Sequence, residues 1–596
     1  MKGTATGLTQ RLHQWVRGWG VLPALVLLVT VFLVPVSQLL RLSIIDDTGQ
    51  LSSEHYLRLF ESGLYFRVLG STFNISLWTT VVCLIAGYPV AYLLATTTGR
   101  ARSSLVLWVL MPFWTSVLVR SFAWIVILGR QGLLNQILTT LGLTDAPLEL
   151  IYNFASVIVG MSHAMMPLAI LTMLAVMQNI DRNLHRAAAT LGARGSHIFW
   201  RIYFPLSLPG VAAAGLLVFI TSLGFFVTPT LLGSPSETML AQVIVIQIDE
   251  MLDWGFAGAV AVLLLVASIA VFFVFDLVLG MSALTGDIKA TNSRRGGSLT
   301  RASARFGYRV TAALGWIGAY AGELYDRLPG RGKVQATERR RVILWATVMA
   351  VVIFLAAPSF FLVPISFSGS SFFEWPPRGF SLQWYETLFA SPLWQQAMIR
   401  SVWVGLCTAV LSVIIGTPAA FALSRQKIPA KSVVMAFILM PMVMPHIIVA
   451  LALFYAFARI GLVGTSFGLI LGHTIFSLPY AIVTIMAVLR NYDIRLDHAA
   501  WTLGATQLTT FRRVTLPIIR TGMITAFLFS FVKSFDELTV ALFISGGTST
   551  TLPRQMWADA LLNVSPTLAA VSTLILAFVT VVIICGEMIG RRKKAY

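Results

Sequence analysis

One motif occurs twice in this chain of 596 residues. Residues 184–209 read LHRAAATLGARGSHIFWRIYFPLSLP, and residues 496–521 read LDHAAWTLGATQLTTFRRVTLPIIRT. With Gly192 set on Gly504, the pairs Ala187/Ala499, Ala188/Ala500, Leu191/Leu503, Ala193/Ala505, Phe199/Phe511 and Pro205/Pro517 fall at one separation. Each copy is bracketed by apolar stretches long enough to cross a bilayer. The chain must therefore fold as two related halves that present the same basic loop on one face of a membrane.

The sequence is 57% hydrophobic and only 11% charged, where soluble domains carry about a quarter charged residues. Twelve apolar stretches read as spanning helices, near 19–41, 70–95, 104–128, 152–177, 208–228, 255–280, 342–366, 395–423, 431–456, 466–489, 521–545 and 564–590. A helix leaves no backbone group unpaired in lipid, so the expected class is an all-α membrane protein. A net charge of +19 would suit a nucleic-acid partner, but its distribution excludes that reading. Of 43 Lys and Arg residues, 33 fall in alternate connections and the two termini, the pattern that marks the cytoplasmic side. Both termini are thus expected inside, with membrane lipid as the surface partner. Arg11 and Arg17 precede a long apolar run with no small-residue cleavage site, read as an uncleaved first helix. Cys83, Cys407 and Cys585 all sit in spans, which leaves no disulfide framework and no metal spacing.

The repeat extends beyond the loop. LVPV at 33–36 matches LVPI at 362–365, GYPVAYLLA at 87–95 matches GTPAAFALS at 416–424, and Met111-Pro112 matches Met440-Pro441, all 329 residues apart. The loops themselves lie 312 apart, so the second half has lost 17 residues on the outside face. Six spans in each half give both halves the same orientation, and parallel repeats place a pathway at their interface. The domains expected are 1–280, a first half with its loop at 184–206; 281–341, a basic cytoplasmic linker; and 342–596, a second half with its loop at 496–518. The linker is rich in Arg, Gly and Ser and reads as a tether. Val310, Leu314, Ile317, Tyr320 and Leu324 in it have helical spacing, so a short interfacial helix and an unstructured linker both remain open.

In the repeated loop, Ala187, Ala188, Ala499 and Ala500 let another surface approach closely. Gly192 and Gly504 permit a left-handed turn, and Pro205 and Pro517 begin the next span. The result is an L-shaped helix–turn–helix. These residues resemble the EAA loops of ABC-importer permeases, and the chain is similar to that family over nearly all twelve helices. The resemblance implies the type I importer permease fold. It also implies that Arg186, Ala187, Ala188, Gly192 and Pro205, with His498, Ala499, Ala500, Gly504 and Pro517, couple the chain to ATPase subunits. Arg186 and His498 depart from the Glu usual at the first position. MPFWTSVLVRSFAWIVILGRQGLLN (111–135) looks like the first subunit of spermidine/putrescine permeases, and FSFVKSFDELTVALFISGGTSTTLPRQMW (529–557) like the second. The expected partners are two copies of a cytoplasmic ABC ATPase, a periplasmic substrate-binding protein and a small cationic solute. Fused permeases of the same fold also serve ferric-iron and thiamine importers, and twelve helices in two halves also suit a secondary transporter.

Ionisable residues inside spans default to functional hypotheses. Asp536 and Glu537 fall in the eleventh stretch, where the first half has Gly224 and Phe225. Acidity in one half only suits one end of a cationic cargo. Lys533 lies three and four residues before them, so an internal ion pair is the other reading. Arg120 has Val449 as its counterpart and can pair with a span acid or meet a carboxylate. Trp114, Phe225 and Phe535 offer aromatic faces to a cation. His163, His446 and His473 read as hydrogen-bonded core residues. No GxxxxGK[ST] string occurs and no catalytic or metal-binding constellation stands out, so ATP and Mg are expected on the partner ATPases.

Overall fold

The computed structural model describes residues 19–279, 316, 318, 320 and 333–591, apart from 47, 48, 194, 372, 374, 378, 427, 547, 548, 563 and 564. Within these, side chains of 113, 114, 182, 276–279, 333–340 and 583–591 are not described. Most of the linker, including Val310, Leu314, Ile317 and Leu324, lies outside the described residues. Trp316, Gly318 and Tyr320 are helical, and a Cβ on Gly318 would come within 2.3 Å of the Trp200 ring.

The main helices are α1 (Trp19–Leu42), α2 (Gly63–Thr96), α3 (Arg100–Leu110), α4 (Val117–Leu128), α5 (Phe154–Met177), α6 (Arg182–Thr190), α7 (Gly195–Leu223), α8 (Val227–Leu232) and α9 (Trp254–Leu279) in the first half. The second half has α10 (Lys333–Ser366), α11 (Pro392–Arg425), α12 (Lys431–Val443), α13 (His446–Arg459), α14 (Ser466–Arg490), α15 (Arg495–Thr502), α16 (Gln507–Phe535), α17 (Thr539–Ile544) and α18 (Thr567–Arg591). Among the described residues, ten helices are long and apolar enough to span, the third taken from Val117 to Thr140; α12 and α13 form an eleventh as a bent pair, and α18 carries an apolar run over Thr567–Val582.

Two corrections to the straight spans follow. The stretch 431–456 is broken: α12 and α13 meet at a bend of 93° around Met444-Pro445. Its counterpart 104–128 is likewise split into α3 and α4 at Thr115-Ser116. Proline lacks the amide that would continue the ladder, and the residue before it is pushed to extended backbone. The stretches 208–228 and 521–545 also end early, α7 at Leu223 and α16 at Phe535, with α8 and α17 following as separate short helices.

The halves exchange their first helices. Gly20 of α1 lies against the Pro418 carbonyl of α11, where a Cβ would sit 2.6 Å from the oxygen. In return α10 packs on the first half, where His163 Nε2 reaches the Leu355 carbonyl at 3.0 Å. Within each half, small residues let the spans beside the loop cross closely. Added Cβ atoms on Gly210 and Gly522 would come within 2.8 and 2.2 Å of Val176 and Val488, the same pair in both repeats. Cys83 is buried and Cys407 half-buried; the side chain of Cys585 is outside the described residues.

Candidate functional site: a cavity at four helix breaks and two exposed loops

The four breaks converge. Ser116 and Arg120 at the start of α4, Gly224 and Phe225 after α7, His446 at the start of α13, and Asp536 and Glu537 after α16 line one cavity of about 240 Å³. Clefts for drug-sized ligands run to about 300–1,000 Å³, so this one suits a slender ligand of few heavy atoms. Irregular backbone is tolerated at membrane depth where it lines such a cavity, and freed helix ends point their dipoles into it.

Asp536 lies on the break and not inside a helix. Its Oδ1 accepts from the Val117 amide at 3.3 Å, so a carboxylate of one half caps a helix N-terminus of the other. At the pseudo-equivalent crossing, Gly224 lies against Pro445, with a Cβ placed 2.6 Å from the proline Cβ. Glu537 takes the ion pair: Lys533 Nζ donates to its Oε2 at 2.7 Å, and the carboxylate is 3% exposed. Of the two readings for Lys533, pairing thus holds for Glu537, while Asp536 faces the opposite half. Arg120 donates from Nη1 to the Ala164 carbonyl at 3.3 Å and from Nε to the Ser116 carbonyl at 3.4 Å. The cavity therefore holds two cationic and two anionic side chains.

Of the pathway residues expected from sequence, Arg120, Phe225, Asp536 and Glu537 line the cavity together. Phe535 does not. It packs away from the cavity on Phe531 and Phe578, with ring centroids 5.7 and 5.6 Å apart, because α16 turns that face toward α18. The Trp114 side chain lies outside the described residues. Sequence reasoning missed Ser116 and Tyr480, which also line the cavity, and took His446 for a core residue. His446 stacks on Phe476 at 4.5 Å at the cavity wall, whereas His473 is a core residue that contacts Ser534 Oγ at 2.8 Å. The signal for His446 was its place directly after Pro445.

The two loops fold alike. α6 ends with Gly192 at φ +81°, with Gly192 N donating to Ala189 O and Ala193 N to Ala188 O, both at 3.0 Å. α15 ends with Gly504 at φ +83°, with Gly504 N donating to Trp501 O and Ala505 N to Ala500 O, again at 3.0 Å. This is the Schellman closure, whose left-handed position favours glycine. Before each proline the helix widens: Phe204 N donates to Phe199 O and Leu516 N to Phe511 O. The wide turn makes room for Pro205 and Pro517, which cannot bond to the carbonyl four back. Arg186 and His498 are exposed, Ala188 is buried, and Ala187 and Ala499 face out. Leu191 and Leu503 are each 88% exposed at the tips, an apolar knob on each loop.

The loops differ underneath. In the second, Asp497 is buried and accepts from Arg425 Nη1 at 2.6 Å, Tyr492 OH at 2.5 Å and Thr515 Oγ1 at 2.8 Å. Burial pushes its carboxyl up, but the Tyr492 and Thr515 hydroxyls and the Arg425 charge outweigh that and hold it below the ordinary value. The first half has His185, Thr96, Ile180 and Tyr203 at the matching positions, and anchors its loop through rings instead. Tyr92 meets Phe199 at 5.3 Å and Tyr203 at 5.0 Å.

Two parallel halves, helix breaks around a shared cavity and a pair of matched exposed loops define a transport permease. The family described as "Binding-protein-dependent transport system inner membrane component" matches residues 87–282 and again 412–595, and the chain belongs to it. It is a multi-pass inner-membrane permease component of an ABC importer, not an enzyme, and works with a separate ATPase and a binding protein. Membership sets aside the secondary-transporter reading. The chain is 33% identical over 211 residues to the spermidine/putrescine transport system permease protein PotB of Escherichia coli, covering 35% of this chain and 76% of that one. It is 32% identical over 248 residues to the spermidine/putrescine transport system permease protein PotC of Haemophilus influenzae, covering 41% and 96%. One chain of a solved bacterial alginate ABC transporter covers 47% of this chain at 17% identity, with a TM-score of 0.40.

Proposed function

We propose that this chain carries both permease halves of a polyamine-type importer, residues 1–280 and 342–596 joined by the linker 281–341. A binding protein delivers a small organic cation to the outer face, and the cation crosses through the cavity at the helix breaks. The observation that carries this reading is the asymmetry of that cavity: Asp536 and Glu537 come from one half, and the other half supplies Gly224 and Phe225. Glu537 is already paired with Lys533, so Asp536, which shares the cavity with Arg120, is the acid that receives an ammonium group, with Phe225 as an aromatic wall. The likeness to spermidine/putrescine permeases supports the same cargo class.

Two ATPase copies dock on the two loops and cover the exposed tips Leu191 and Leu503, with the residues around Gly192 and Gly504 as the rigid elbow. ATP and Mg belong to those subunits. The termini and both loops face the cytoplasm, as the basic connections imply. The test is ATP hydrolysis by the chain reconstituted with its ATPase and binding protein, across putrescine, spermidine, thiamine and ferric iron. Stimulation by a polyamine supports the proposal. Stimulation only by thiamine or iron would replace the cargo.

A further inference from the structure

A second cavity lies away from the pathway, at a seam between the halves. It is a groove of about 540 Å³ between α3 of the first half and α10, the exchanged first helix of the second half. Its walls are almost wholly apolar. Trp108 and Phe360, with ring centroids 6.2 Å apart, close one end. From Trp345 to Phe360 the groove runs fifteen residues along α10, about 22 Å at the helical rise, enough for an acyl chain within one leaflet.

The other end is basic. Ala101 and Trp345 line it, flanked by Arg100 and Arg102 in the first turn of α3 and by Arg341 one turn before Trp345 on α10. Among the described residues, none of the three forms an ion pair. The N-terminus of α3 adds its positive dipole end.

The internal repeat supplies a control. At the opposite seam, Leu27 and Leu28 stand where this groove has Ala356 and Ala357, and Leu28 is fully buried. Pro429 and Lys431 stand where Arg100 and Arg102 are, and Leu12 where Arg341 is. Small residues hollow one seam and arginines ring its mouth, and the same positions of the other seam carry neither feature in full. We propose that this groove binds an anionic phospholipid of the leaflet on the basic side of the membrane. One acyl chain lies between α3 and α10, and the phosphate sits among Arg100, Arg102 and Arg341. The lipid would wedge the exchanged helix against the first half. The inference does not depend on the cargo.

The test is native mass spectrometry of the full chain after incubation with vesicles of phosphatidylcholine and phosphatidylglycerol in equal amounts. The wild type should retain phosphatidylglycerol roughly tenfold over phosphatidylcholine, as three surface arginines favour anionic headgroups. The triple variant R100Q/R102Q/R341Q should hold both lipids equally. The variant A356L/A357L keeps the arginines but fills the groove, and should lose bound lipid of either kind. Equal retention by the wild type would overturn the proposal, as would a preference that survives the triple variant. Lipid that A356L/A357L retains in full would lie elsewhere and overturn it too. Displacement by soluble glycerol phosphate would reduce the site to a phosphate site and contradict the acyl chain.

Discussion

The Asp536 carboxylate accepts a hydrogen bond from the Val117 amide at 3.3 Å, tying the break after α16 to the start of α4 in the other half. The related crossing has no such bond, only Gly224 against Pro445. The two-fold arrangement is thus broken at the cavity, where the Asp536 carboxylate clasps the two halves together.

The glycine side of that relationship is a steric claim. A Cβ at Gly224 would sit 2.6 Å from Pro445 Cβ and 2.9 Å from its Cα, closer than real contacts allow. Gly224→Ala should therefore force the crossing apart at a cost of about 1–3 kcal/mol. The check is a lowered thermal midpoint of the purified chain. An unchanged midpoint would mean that the crossing is loose.

Glu537 is buried and Lys533 half-buried, at 26% exposure, and a pair with a buried member costs most when half removed. Lys533→Met, which strands the buried carboxylate, should destabilise by up to about 3–5 kcal/mol, and Glu537→Gln by less, since Lys533 keeps 26% exposure and can turn to water. The double variant E537Q/K533M should recover much of that loss. Chemical denaturation of the four species gives the coupling directly, and additive losses would show that the pair is not coupled.

Asp497 locks the second loop to the end of α11 through Arg425. Its carboxyl is held below the ordinary value, near 3.9, so its stabilisation is present above about pH 4 and lost as pH falls through the folded value. Asp497→Asn should lower stability by an amount constant from pH 5 to 8 and shrinking below pH 4. The size should fall short of about 3–5 kcal/mol, since Arg425 keeps 21% exposure and can turn to water. Melting curves across pH for both chains check this.

The loops should separate docking from folding. Leu503→Asp at an 88% exposed tip should leave the thermal midpoint unchanged and abolish binding of the ATPase in pull-down. Gly504→Pro cannot adopt φ +83°, so it should distort the elbow and abolish ATPase-coupled uptake while insertion stays intact. Normal uptake in Gly504→Pro would contradict the assignment of the loops.

The duplication, the twelve apolar regions and the glycine-to-proline loop could be read from residues alone because each leaves a local signature. The breaks could not. A helix apolar on all sides has no periodicity to interrupt, so α3 and α4, and α16 and α17, read as single spans. Pro445 and Pro112 were the available signals, yet Pro89, Pro167, Pro418 and Pro479 sit inside unbroken helices. Proline alone therefore does not place a break. Asp536 and Glu537 stood out as acids in an apolar run, but which of them pairs with Lys533 depends on where α16 ends. Nothing local singles out Asp497, because its partner Arg425 is 72 residues away. Leu191 and Leu503 aligned as a pair, but exposure at a tip is a tertiary property.

The central claim is that a cation passes by Asp536. The direct measurement is uptake of labelled putrescine into vesicles holding this chain, its ATPase and its binding protein, with Asp536→Asn beside the wild type. Saturable, ATP-dependent uptake that falls at least roughly tenfold in Asp536→Asn, with ATPase binding unchanged, is the predicted result; a loss of that size is about 1.4 kcal/mol, within reach of one charged contact. Uptake equal in both would contradict a cargo role for Asp536, and no uptake of putrescine or spermidine by the wild type would contradict the cargo itself.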